Sequence, residues 1–136
     1  MSNVKQLRPP ETEKITINLG LVDLGRIDLL VQEGFYSNRT DFIRTAIRNQ
    51  LSTEQDQVTQ SVKRNMLEMG LLELSRADLE AVRDRGEVLD IRVVGLARID
   101  ADVPADLARE TIGSIRVLGA LQASGDIKAA LKDRIT

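Results

Sequence analysis

The chain of 136 residues contains neither cysteine nor histidine. Disulfides, thiol nucleophiles, Cys/His metal sites and Ser-His-Asp triads are therefore excluded. A soft-metal-sensing site is disfavoured for the same reason. Tryptophan is absent, and only one Tyr and two Phe are present, too few for stacking along a single-stranded nucleic acid. Apolar runs never exceed a few residues, far short of the roughly 20 that a membrane-crossing helix needs. The first ten residues lack the apolar stretch of a secretory signal. No loop of EF-hand type is present, and Asp100, Asp102 and Asp126 read as turn formers rather than a metal or catalytic cluster. No acid, base and nucleophile converge, so the expectation is a cytoplasmic, non-enzymatic protein without cofactor or membrane contact.

What is present suits a soluble globular chain, with 42% hydrophobic and 29% charged residues. The net charge of −2 does not by itself announce a polyanionic partner. The charge is unevenly spread, however. Residues 1–50 hold seven Lys/Arg against six Asp/Glu, which leaves twelve against fifteen for residues 51–136.

Residues 1–12 are polar, carry Pro9-Pro10, and read as a flexible arm whose Lys5 and Arg8 suit phosphates. Residues 13–19 (EKITINL) alternate strictly: Ile15, Ile17 and Leu19 on one face, Lys14, Thr16 and Asn18 on the other. Period two with β-branched residues predicts a strand that Gly20 ends. Residues 22–33 carry Leu24, Ile27, Leu30 and Val31 at helical spacing, with Gly25 weakening the helix and Gly34 ending it. Asn38 with Asp41 three residues on predicts an N-cap. The helix that follows, about residues 39–50, offers Phe42, Ile43, Ala46 and Ile47 for burial, with Arg44 and Arg48 on another face that suits solvent or ion pairs within a dimer rather than DNA.

Residues 51–69 read as helix along the stripe Val58, Val62, Met66 and Met69, either continuing from before or restarting at Ser52. Leu71 to Leu74 suit a short strand, and Ser75 to Asp78 cap a helix that ends at Gly86. The last third contains a repeat. Ile91–Leu107 aligns without gaps to Ile115–Leu131 at an offset of 24. Such a period signals stacked supersecondary units. Each reads as a strand, a second short extended piece and a short helix, with Gly95 and Gly119 as a bulge or turn between the two extended pieces. Leu71–Leu79 suits a degenerate earlier unit. Two or three units bury little core alone, so they must pack on other elements or on a second copy.

The strand at 13–19 has one apolar face and no hairpin partner, because helices follow it. A lone strand leaves backbone donors and acceptors unpaired. The nearest mate is the same strand of another copy. Two such strands form an antiparallel ribbon that shows Lys14, Thr16 and Asn18 twice over, and a two-stranded ribbon fits the DNA major groove. Asn suits adenine, Lys suits guanine, and Thr suits either a polar edge or a thymine methyl. The start of the second helix, Ser37-Asn38-Arg39-Thr40, offers backbone N–H groups and a positive dipole end for phosphate, with Arg39 as a mobile charge.

On these stretches, EKITINL, the helix ending in QEGFY, and SNRTDFIRTAIRNQL, residues 13–50 resemble the ribbon-helix-helix family of the CopG, Arc and MetJ type. The resemblance implies an intertwined β-α-α homodimer through residues 13–19 and the helices. It also implies base reading by Lys14, Thr16 and Asn18 and phosphate capture by Ser37, Asn38, Arg39 and Thr40. The ribbon face carries one Lys and no Arg, which implies a modest electrostatic grip per dimer.

The expected architecture is α+β. A flexible arm (1–12) precedes the ribbon-helix-helix module (13–50), a helical connector (51–87) and a small domain of strand-helix repeats (88–136), parallel β-solenoid-like and suited to forming higher oligomers. The expected function is a sequence-specific regulator, a repressor, acting on double-stranded DNA. One alternative is an antitoxin-like regulator with a protein partner. Residues 88–131 look foldable unaided, whereas antitoxin tails often order only on binding. The other alternative is an assembly protein that uses the repeats to oligomerise and its N-terminal module only to dimerise.

Overall fold

In the computed structural model, the backbone of residues 4–5 and all of residues 11–136 are described. The elements run β1 (Val4–Lys5), α1 (Leu21–Gln32), α2 (Arg39–Thr53), α3 (Gln55–Arg64), β2 (Glu68–Leu74), α4 (Arg76–Asp84), β3 (Leu89–Ile99), α5 (Ala105–Thr111), β4 (Ile112–Gln122) and α6 (Gly125–Ala130). Helix and strand are mixed, as an α+β reading requires. The chain divides into two compact units: residues 14–61, and residues 62–136 together with the N-terminal residues through Glu13. No helix among the described residues is long and apolar enough to cross a membrane.

In the smaller unit, α1 ends as its sequence dictates. Gly34 adopts φ 84°, and the Gly34 and Phe35 amides donate to Val31 and Leu30 carbonyls at 3.0 Å each. This is the helix stop that glycine favours, because a left-handed residue without Cβ lets the last carbonyls find donors. Tyr36 then packs its ring edge-on to Phe42 of α2, centroids 5.0 Å apart. The unit buries very little. Ile27 is its sole fully buried hydrophobic residue, while Ile15, Ile17, Leu19, Leu21, Val22, Leu29, Phe35, Ile47 and Leu51 stay exposed. Of the four residues expected to be buried on α2, Phe42 and Ile43 are half-buried and Ala46 and Ile47 are exposed. Within this unit nothing covers them.

Residues 11–20 carry no helix or strand within the chain. The strand expected at 13–19 therefore has no ladder inside one copy. Its three apolar side chains and its three polar ones are all exposed.

The continuous stripe expected over 51–69 is interrupted twice. Glu54 caps α2 before α3 begins, and α3 stops at Arg64. Met66 sits at φ 53°, with its amide on Lys63 and that of Leu67 on Val62. Met66 therefore lies in the terminating turn, and Met69 lies on β2. The region expected as a helical connector thus contributes a strand and a helix to the sheet unit.

In that unit, β2, β3 and β4 are parallel and sequential, and β1 pairs antiparallel to β2. Two residues of the expected arm, Val4 and Lys5, are therefore paired to Leu72 and Leu71. The rest of the arm, Arg8 included, lies outside the described residues. The offset of 24 seen in the sequence is the sheet register itself: Ile91 faces Ile115, Val93 faces Val117 and Gly95 faces Gly119. β2 adds an earlier row, with Gly70 facing Gly95. Gly113 supplies the one extra residue at the irregularity between Leu89/Ile112 and Asp90/Ser114.

Gly95 and Gly119 do not separate two extended pieces. Each lies inside one eleven-residue strand whose ladder continues in register on both sides. Gly70, Gly95 and Gly119 all adopt positive φ, at 129°, 138° and 123°. A Cβ on Gly95 would lie 2.2 Å from the Gly70 carbonyl oxygen, closer than packed atoms allow. The repeated glycine is thus a row across the sheet where successive backbones approach one another.

Parallel strands need crossovers, and α4 and α5 supply them. Ser75 caps α4 by accepting from the Asp78 amide, while Asp78 accepts from the Ser75 amide. The core cluster joins Leu79 of α4, Leu107 and Ala108 of α5 and Ile127 with the following Leu131 to Leu74, Ile91, Val93, Ile99 and Ile115 of the strands. Each such aliphatic side chain contributes roughly 1.5–3 kcal/mol on burial. Thr111, buried among them, donates its hydroxyl to the Leu107 carbonyl at 2.7 Å. The C-terminus closes over the sheet edge, where the Ile115 amide donates to the Arg134 carbonyl at 2.8 Å.

Candidate nucleic-acid interface

The N-terminus of α2 is built by local sequence. Asn38, in extended backbone, accepts the Asp41 amide on its side chain at 2.8 Å. Asp41 in turn accepts the Ser37 amide at 2.9 Å. The capping exchange therefore reaches one residue further back than the Asn38–Asp41 pairing alone. It also engages the Ser37 amide; the Arg39 and Thr40 amides have no carbonyl partner within the helix, and the Ser37 and Thr40 hydroxyls belong to the same helix start. All four residues from Ser37 to Thr40 are exposed, and the helix they open is fifteen residues long.

Arg39 is not the mobile charge expected from sequence. Its Nε and Nη2 donate to the two carboxylate oxygens of Asp28 on α1, at 2.7 and 2.8 Å. The planar guanidinium matches a carboxylate fork, which fixes direction as well as distance. These hydrogen bonds hold the Asp28 carboxyl below the usual carboxylate range and push Arg39 up. Both side chains remain about half exposed, so the pair is screened by solvent and salt. Asp28 was not singled out by sequence reasoning. Its partner lies 11 residues away on a different helix, beyond the i,i+4 reach of helix rules.

Lys14, Thr16 and Asn18 lie on the extended approach to α1, all three exposed. Ser37, Asn38, Arg39 and Thr40 gather at the start of α2. No hydrogen bond among the described residues joins the first set to the second. Both sets belong to the unit of residues 14–61. That unit also has a shallow recess of about 260 Å³ lined by Asp23, Arg26, Ile27, Leu30 and Phe42. Its lining is mainly apolar. Among the described residues no group of His, Cys, Asp or Glu is arranged to hold a metal ion.

Compared with known proteins, residues 10–128 match the model of the Ribbon-Helix-Helix transcriptional regulator family. The match runs through both units rather than stopping at the end of α2. No curated protein and no solved structure matches the chain.

Proposed function

The chain belongs to the ribbon-helix-helix transcriptional regulator family, and on that premise we propose that it is a homodimeric, sequence-specific repressor reading double-stranded DNA through the major groove. The observation that carries this reading is the state of residues 13–19. Ile15 is 70% exposed, Ile17 55% and Leu19 39%, and the segment has no ladder within its own chain. Three alternating aliphatic residues left in water are costly, at roughly 25 cal/mol per Å² of apolar surface. A second copy relieves both deficits together. The two segments pair antiparallel, and their apolar faces cover the open faces of α1 and α2 around Ile47 and Leu51.

Pairing leaves Lys14, Thr16 and Asn18 on the outer face in duplicate, where a two-stranded ribbon enters the major groove. Each well-placed contact supplies roughly 1–3 kcal/mol of base discrimination. The α2 N-terminus, with the amides of Arg39 and Thr40 and the hydroxyls of Ser37 and Thr40, then holds phosphate at either side of the ribbon and fixes its register. Residues 13–50 are the DNA-binding module in this reading, and the solenoid-like strand-helix rows of the other unit serve association.

The test is an electrophoretic mobility shift on the DNA upstream of the gene, with a footprint, at several salt concentrations. A protected, salt-sensitive site is expected. Replacing Lys14, Thr16 and Asn18 together by Ala should remove sequence preference while sparing the dimer. If no function depends on those three residues, the protein is an assembly factor instead. A folded dimer that shifts no DNA at low salt refutes the regulator.

A further inference from the structure

We propose that β4 is a second self-association surface, and that its occupant is β4 of another copy, paired antiparallel about a two-fold axis at Gly119. The inference rests on the regulator reading only in that the ribbon already brings two copies together.

The outer two of the three parallel strands, β2 and β4, are each only partly covered. β1 covers part of β2 on one side. On the other, residues 134–136 cover β4 only at Ile115, whose amide and carbonyl bond Arg134 and Thr136. Among the described residues nothing pairs with β4 from Val117 to Gln122 on that side. Strand alternation then sets Val117, Gly119 and Leu121 on the same outward-bonding register as Ile115. The usual protections of an edge are missing, since neither Lys nor Pro nor any charge interrupts Val117 to Leu121. Leu118, at mid-edge, is 51% exposed.

This stretch is complementary to itself. An antiparallel copy centred on Gly119 sets Val117 opposite Leu121 and Leu118 opposite Ala120 of the second copy, and Arg116 opposite its Gln122. Apolar residues meet apolar ones, and no like charges face each other. Val117 and Leu121 already pack against the core of their own unit, so the pairing makes one core out of two. Gly119 facing Gly119 brings no side chains into conflict at the axis. The tail over Ile115 ends the pairing on each side. Because the contact is two-fold and uses the same edge of both copies, association through it closes as a pair.

The test uses the full chain in four forms, compared by analytical ultracentrifugation: wild type, Ile17→Asp, Leu118→Lys with Ala120→Lys, and all three changes together. Ile17→Asp should remain a dimer through β4, and the double Lys form should remain a dimer through the ribbon. The triple form should be a monomer, half the mass of either. A wild-type dimer places both contacts in one pair, and a wild-type tetramer places β4 between pairs. If Ile17→Asp alone gives a monomer, the β4 proposal is overturned and the ribbon stands. If the double Lys form alone gives a monomer, the ribbon reading fails instead.

Because the chain has no cysteine, a second measurement is available should the Lys form not fold. Leu118→Cys with Ala120→Cys places thiols across a pair whose Cα atoms are about 4.5 Å apart, within disulfide reach. Mild oxidation should give a covalent dimer, while Val88→Cys, exposed elsewhere on the unit, should not. No covalent dimer from the first, or equal yield from both, overturns the proposal.

Discussion

Asp28 of α1 holds Arg39 of α2 by both carboxylate oxygens, at 2.7 and 2.8 Å. Arg39 stands at the first position of a helix proposed to meet DNA phosphate, so the carboxylate and the phosphate are rivals for one guanidinium. Asp28→Asn removes the rival and one negative charge. Low-salt DNA affinity should rise severalfold, and the salt dependence should steepen by about two counterions per dimer, one for each Arg39. Fluorescence anisotropy titrations at several salt concentrations measure both. An unchanged slope would show that Arg39 does not reach phosphate.

The same pair sets a pH expectation. The hydrogen bonds from Arg39 lower the Asp28 carboxyl in the folded chain. The unfolded chain therefore binds this proton more readily, and stability rises with pH across the interval between the two values. The contribution is present above the unfolded value, near pH 4, and lost as pH falls through the folded one. Thermal melts of wild type and Asp28→Asn should differ by the same amount throughout pH 5 to 8 and converge only under acid conditions.

Ile17 lies 55% exposed in a segment without a ladder. Ile17→Asp should leave the helices and the sheet unit intact by circular dichroism. In the proposed dimer it places two carboxylates beneath one ribbon. Two lost aliphatic contacts at roughly 1.5–3 kcal/mol each weaken ribbon pairing by more than about 100-fold. DNA binding should fall with it.

Local chemistry was legible in the sequence, and partnership across distance was not. Asn38, Ser75, Gly34 and Gly86 mark helix ends because caps and left-handed stops act within one turn. The offset between Ile91 and Ile115 became sheet register because equal units stack equal residues. Three features escaped. Glycine inside a strand reads as punctuation, yet at Gly95 the ladder continues, since the reason for glycine there is the neighbouring backbone. Met66 fits a helical stripe by type, yet the chain turns at it. Asp28 finds Arg39 only once α1 and α2 are packed. In the segment proposed to read DNA the alternation of residues 13–19 was visible, yet within one chain it forms no ladder, and only the proposed ribbon would give it one.

Two glycines should answer alanine in opposite senses. Gly25 lies within α1 with nothing near an added Cβ, so Gly25→Ala should stabilise that helix by about 1 kcal/mol. Gly95 lies at φ 138°, where the added Cβ would meet the Gly70 carbonyl oxygen at 2.2 Å. Neighbouring backbone cannot move aside without breaking the β2–β3 ladder. Gly95→Ala should therefore cost more than about 3 kcal/mol and lower the melting temperature of the sheet unit. Denaturant titrations of both variants check the contrast. Equal effects would show that the glycine row is not a close approach.

Met66 occupies the position after α3 where helices favour glycine. Its φ of 53° lets the Leu67 amide reach the Val62 carbonyl at 2.9 Å. A side chain in the left-handed region costs roughly 1–2 kcal/mol. Glycine relieves that cost but loses more freedom on folding, by roughly 0.5–1 kcal/mol. Met66 is 71% exposed, so little packing is lost by removing it. Met66→Gly should thus stabilise the chain by about 0.5–1 kcal/mol, while Met66→Val, β-branched at positive φ, should destabilise it by more than that. Chemical denaturation of the two variants measures the difference. A Met66→Gly chain less stable than wild type would mean that the Met66 side chain is covered in the assembled protein, where the isolated chain leaves it bare.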